Sequence, residues 1–252
     1  MYRIIDRIEE IATDYKQSIP KLLKQEEEHG KGFNNYFLVS EHRLIAVADY
    51  LRTGDVALFR STLKKALSYR LALYEAPENV PEKRFFTKEL SELTYVMDSL
   101  AAGDLAFTRR MMAPFQDLTY KKMTPLMGYL HFFLSGFLFE MPPHFASVLE
   151  EALAYWEKRL KSYAGYALGF KAIYKKDSGV FVEALKTIMK GHKRLCHPSG
   201  EYGNTEDEVI GIWPLGMANL ARLKGLDFKF DHPQLPSDLI IPVPLMQRDR
   251  NF

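Results

Sequence analysis

Three short groupings in the 252-residue chain hold side chains that could bind a metal, move a proton or meet a charged partner. Glu26-Glu27-Glu28-His29 contains one Glu-x-x-His, the element that a di-iron helical bundle uses twice, with two further glutamates on facing helices. No second Glu-x-x-His occurs in the sequence. The plainer reading is a solvated acidic helix end with a histidine near its C-terminus, where the helix dipole favours a cation. His192 and Cys196 stand at i and i+4 on one helical face, with His197 adjacent, which could begin a metal site. A tetrahedral site needs one or two more ligands from elsewhere, and nothing nearby announces them. Cys196 as a nucleophile would need a positioned base, and adjacency to His197 does not supply that geometry. In the third grouping, Thr205 precedes Glu206, Asp207 and Glu208, as an N-cap precedes the acidic first turn of a helix.

No Gly-rich phosphate loop, Gly-x-Ser-x-Gly elbow, His-Glu-x-x-His or dinucleotide fingerprint is present. The expectation is therefore a protein that is not an enzyme, with no cofactor and no metal. Phe132, Phe133, Phe137 and Phe139 lie in the most hydrophobic stretch and read as core rather than as a base-stacking platform. Lys and Arg number 34 against 32 Asp and Glu, a net charge of +2. That balance supplies no field to hold a polyanion, so no direct nucleic-acid binding is expected. A single cysteine forbids an intramolecular disulfide framework and suits a reducing compartment. Charged and apolar residues interleave from Met1 onward, unlike a secretory signal. The longest apolar run, Leu126 to Phe139, is short of the roughly 20 residues that span a bilayer as a helix. Together these features predict a cytoplasmic protein without membrane attachment.

The elements that must position these groups are helices. Ile4, Ile5, Ile8, Ile11, Tyr15, Ile19, Leu22 and Leu23 recur at three- and four-residue steps up to Gly30, a stripe that Pro20 could kink. A second helix is predicted over 34–52, carrying Phe37, Leu38, Leu44, Ile45, Val47, Ala48 and Leu51 as its apolar residues. A third is predicted over 56–74. Two prolines mark a loop over 75–83, and Thr87 opens a further helix ending at Gly103. Asp104 caps the next one, to about Gln116. The stretch 125–140 is apolar on most of its circumference and reads as a central buried helix. After Pro142-Pro143, helical periodicity returns over 145–176, divided near Gly165, and again over 178–196. A last helix is predicted over 206–224, stopped by Gly225. Residues 226–252 read as a proline-rich extended tail, packing Leu239, Ile240, Ile241 and Leu245 on the bundle.

No sustained period-two alternation competes with these helices, so the predicted fold class is all-α. One all-helical domain over 1–252 is expected, with a possible subdivision near 141–143. Leu51-Arg-Thr-Gly-Asp-Val-Ala-Leu-Phe-Arg resembles Leu100-Ala-Ala-Gly-Asp-Leu-Ala-Phe-Thr-Arg, and Tyr174-Lys-Lys-Asp-Ser-Gly-Val-Phe-Val echoes both. Each marks a helix end, a tight turn, an Asp cap and a new helix. Uneven spacing of Asp55, Asp104 and Asp177 argues against a strict solenoid and for stacked antiparallel hairpins of irregular length.

The C-terminal stretch Gly211-Ile-Trp-Pro-Leu-Gly-Met-Ala-Asn-Leu-Ala-Arg-Leu-Lys-Gly-Leu, followed by Leu235-Pro-Ser-Asp-Leu-Ile, is the most distinctive. A late Pro-Leu-Gly-x-Ala-x-Leu-Ala-Arg helix, a Lys-Gly-Leu stop and a Leu-Pro-x-Asp-Leu-Ile tail resemble the end of the immunity 49 family of bacterial polymorphic-toxin systems. The related PoNi-type immunity proteins, which neutralise DNase effectors, close in a similar way. The likeness covers roughly the last 40 residues. Trp213, Gly225, Pro236 and Asp238 carry it, and they read as packing, capping and turn residues. The resemblance implies a protein that binds and blocks a cognate toxin domain. Glu26, Glu27 and Glu28, and Glu206, Asp207 and Glu208, are then the candidate partner-binding acids, able to occupy a nuclease's phosphate site. Two other readings stand beside it: a helical-repeat scaffold for a peptide or protein, motivated by the Gly-Asp turns, and a metal-dependent helical enzyme, motivated by Glu26, His29, His192 and Cys196.

Overall fold

A computed structural model describes residues 4–30, 32–76, 92–118 and 124–244. Among the described residues the chain forms ten α-helices and no strand, with a single isolated bridge between His232 and Leu235. The helices are α1 (Ile8–His29), α2 (Asn35–Thr53), α3 (Val56–Tyr74), α4 (Leu93–Ala101), α5 (Leu105–Met112), α6 (Pro125–Leu138), α7 (Phe145–Arg159), α8 (Ala164–Lys175), α9 (Ser178–Leu195) and α10 (Ile212–Leu223). The expected helix start at Thr87, most of the 75–83 loop and Leu245 lie outside the described residues.

The three Asp turns do the same local work. Asp55, Asp104 and Asp177 each accept a 2.9 Å hydrogen bond from the backbone N–H three residues on, at Leu58, Phe107 and Val180. Each satisfies one of the four donors that a helix start leaves unpaired, a contribution of about 1 kcal/mol. Gly54, at φ 67°, supplies the left-handed residue that ends α2. Turns this short oblige the flanking helices to pack antiparallel, and α2 lies on α3, α4 on α5 and α8 on α9. α1 continues through Pro20 without interruption.

α6 is buried from Gly128 to Leu138 except at Ser135, which is half-buried. Its rings interlock with α7 and α8: Phe137 lies 5.2 Å from Phe145, and Phe133 lies 5.0 Å from Phe170. Phe139 departs from its expected core position and is exposed, because α6 has already ended and the chain is turning toward Pro142. The buried apolar cluster draws on residues either side of 141–143, from Ile8 to Ile240.

The end of the chain closes the bundle. A Cβ on Gly216 would meet the Met97 carbonyl at 2.5 Å, so α10 and α4 touch at backbone distance. Beside that contact the buried Asn219 amide donates to the Leu100 and Ala101 carbonyls in the last turn of α4 at 3.0 and 3.1 Å. Its oxygen accepts from the Ile241 N–H at 3.0 Å, fixing the tail. Leu239, Ile240 and Ile241 are buried there as expected.

The last helix departs furthest from the sequence expectation. Residues 206–224 do not form a single helix: Glu206–Glu208 make a 3-10 turn, and α10 begins only at Ile212. Asp207 Oδ1 accepts from the Ile212 N–H at 3.0 Å, so Asp207 satisfies the first N–H of α10 from outside the helix instead of lying in its first turn, and Gly211 is the N-cap. Pro214 explains the late start, since proline fits a first turn whose N–H groups have no helical partner.

Candidate functional site

The two acidic groupings that looked equivalent in sequence lie in opposite environments. Glu206, Asp207 and Glu208 are all buried, which removes them as an exposed patch for a partner. The physical reason is Arg43 on α2. Its Nη2 donates to Asp207 at 2.7 Å, its Nε lies 3.1 Å from Glu206, and its Nη1 lies 3.4 Å from Asp98 on α4. Three carboxylates thus surround one guanidinium. Glu208 accepts from the Asn204 N–H at 2.8 Å.

Asp98 is the least compensated member, 0% exposed and without a hydrogen-bond partner on either oxygen among the described residues. Burial pushes its carboxyl up to about 7, against the pull of Arg43, and the charges of Asp207 and Glu206 push the same way. Burial likewise raises Glu206, again opposed by Arg43. Burial alone would disfavour the Arg43 charge, but Asp98, Glu206 and Asp207 together hold it firmly ionised. This cluster ties α2, α4 and the start of α10 together.

His192 and Cys196 also meet inside the protein. His192 Nε2 lies 2.7 Å from the Asp207 carbonyl and 3.4 Å from Cys196 Sγ. Burial lowers the His192 pKa, so the neutral ring donates from Nε2 to that carbonyl. Gln234 closes the node from the tail, donating to the Glu208 carbonyl at 2.9 Å. His197 faces solvent and contacts Ser199 at 3.0 Å. Among the described residues no group of three or more His, Cys, Asp or Glu side chains is arranged to hold a metal ion. His29 lies against Phe33 with the rings tilted, 4.9 Å between their centres.

The residues of the C-terminal motif hold the fold. Trp213 is buried against Tyr166, 6.0 Å away in an edge-on arrangement. Gly225 takes φ 83° after α10, and Pro236 precedes the 3-10 turn Ser237–Leu239. Asp238 accepts from the Tyr50 hydroxyl at 2.8 Å.

Glu26, Glu27 and Glu28 instead sit at an open end of the bundle. The short turn after α1 brings its C-terminus beside the start of α2, and the α2–α3 hairpin returns the last turns of α3 to the same end. Glu26 accepts from the backbone N–H groups of Gly32 and Asn34, which anchors that turn. Glu27 and Glu28 are exposed, with Glu28 3.8 Å from Lys24. Three aromatic rings are exposed on the same turn: Phe33 at 48%, Tyr36 at 68% and Phe37 at 54%. Phe37 was expected in the core; Leu38 takes that place, and consecutive helical residues point about 100° apart. A sequence signal for this face did exist, since Phe33, Tyr36 and Phe37 stand at i, i+3 and i+4. Between the three helices lies a groove of about 450 Å³, whose lining includes Leu23, Glu26, Glu27, Leu38, Tyr69 and Leu73.

An all-α protein with an acidic, aromatic end is the class that fold and surface define. No family model, curated protein or solved structure matches the chain. Among the described residues no helix is long and apolar enough to cross a membrane.

Proposed function

We propose that this chain is a bacterial immunity protein that binds a cognate toxin domain in the cytoplasm and blocks it without catalysis of its own. The observation that carries the proposal is the exposed set Phe33, Tyr36 and Phe37 beside Glu26, Glu27 and Glu28. Large aromatic side chains bordered by charge are what concentrates binding energy at protein interfaces. The C-terminal likeness to the immunity 49 family supports the toxin as partner. Of its motif residues Trp213 is buried in packing, while Gly225, Pro236 and Asp238 form a helix stop and a turn, which leaves recognition to another part of the molecule. The net charge of +2 fits a local acidic face better than a wholly acidic DNA mimic.

Co-expression with a toxin domain encoded beside this chain's own gene tests the proposal. Growth is expected to be rescued and the two chains to co-purify, with Tyr36→Ser/Phe37→Ser abolishing both effects while leaving the fold intact. Absence of both rescue and complex for the unaltered chain would overturn the proposal. The groove between α1, α2 and α3 favours a second reading, a scaffold that binds an extended peptide; complex formation with peptides but not with the toxin would select it.

A further inference from the structure

The groove at the open end has two chemically different surfaces. Its apolar side presents Leu23, Tyr69 and Ala72 above the fully buried Leu38 and Leu73. Its wall carries Glu26 and Glu27, and among the described residues no Lys, Arg or His lines it. The Asn35 side chain at its edge is already committed: it donates to the Tyr69 carbonyl at 2.6 Å and faces Arg70 at 3.4 Å. Two backbone N–H donors hold the Glu26 carboxylate at the wall.

A purely apolar occupant would strip water from both glutamates and return nothing to them, an expensive desolvation. An anion would be repelled. A lysine or arginine side chain satisfies both surfaces, because its methylene stem covers apolar area while its head stays with the carboxylates. Tyr69 adds an aromatic face of the kind that attracts such cations.

We propose that this groove receives a basic side chain from a partner's surface, with the stem along Leu23, Tyr69 and Ala72 and the cation at Glu26 and Glu27. The inference deepens the partner-binding reading and takes its biological meaning from it, but the chemistry can be tested separately.

The full chain, labelled with ¹⁵N, is titrated with acetyl-Arg-Leu-Arg-amide and, in parallel, with acetyl-Glu-Leu-Glu-amide, while backbone amide shifts are followed. Saturable shifts are expected at Gly32, Asn35 and Ser68 with the basic peptide at millimolar concentration, and none with the acidic one. Glu27→Lys, at an exposed position, is expected to weaken the basic peptide about tenfold or more. The control Glu150→Gln, on α7, is expected to change nothing. Absence of saturable shifts at these three amides, or an equal response to the acidic peptide, would overturn the proposal. Failure here with toxin protection intact would remove the groove assignment alone. Success here without protection would remove the toxin reading and leave the groove.

Discussion

Replacing Asp98 with Asn is expected to stabilise the protein, and by an amount that depends on pH. Asp98 is completely buried, and its carboxyl titrates near 7 in the fold against an ordinary value of 3.8. A raised carboxyl pKa means that the folded state holds the proton more tightly than the unfolded chain. Its contribution is therefore fully present below about pH 3.8 and is lost as pH rises through about 7. At about 1.4 kcal/mol per pH unit, the rise from 3.8 to about 7 removes about 4 kcal/mol of folding stability between pH 3 and pH 8. Asn has nearly the same shape, keeps an oxygen for Arg43 and never ionises. Asp98→Asn should then exceed the unaltered chain by about 4 kcal/mol at pH 8, by about 2 kcal/mol at pH 5, and by little at pH 3. Urea unfolding followed by far-ultraviolet circular dichroism at these pH values measures the gap directly. A gap that is independent of pH, that widens toward acid, or that shows Asn destabilising at pH 8 would refute the reasoning.

Arg43→Met should have the opposite effect, since it leaves Asp98, Glu206 and Asp207 buried without a counter-charge. A loss of about 3–5 kcal/mol is expected at pH 8, shrinking toward pH 5 as carboxyls protonate, by the same urea titration. Gly216→Ala should lower stability by about 1–3 kcal/mol despite alanine's higher helix propensity, because its Cβ would meet the Met97 carbonyl; thermal unfolding reads this as a drop of several degrees. Asp177→Ala removes the α9 cap and should cost about 1 kcal/mol without altering toxin binding, measured by unfolding and by co-purification.

Helices, turns and hairpin pairing were legible in the sequence because their causes are local. Asp55, Asp104 and Asp177 each cap through a bond spanning three residues, and the apolar periodicity around them is a property of the same short window. The apolar density of 125–138 likewise announced a buried helix from composition alone. The fate of the acids was not legible in this way. Glu26–Glu28 and Glu206–Glu208 read alike as charged turns, yet only the second run meets a guanidinium 164 residues away in sequence, at Asp207. That contact forms only when α2, α4 and the end of the chain pack together. Phe37 was misplaced for a related reason: a helix with apolar residues on two faces does not reveal which face its neighbours cover. Local stereochemistry and periodicity thus determined the secondary structure and much of the topology. Tertiary packing alone decided which charges are buried and which rings remain exposed, because burial depends on partners that no sequence window contains.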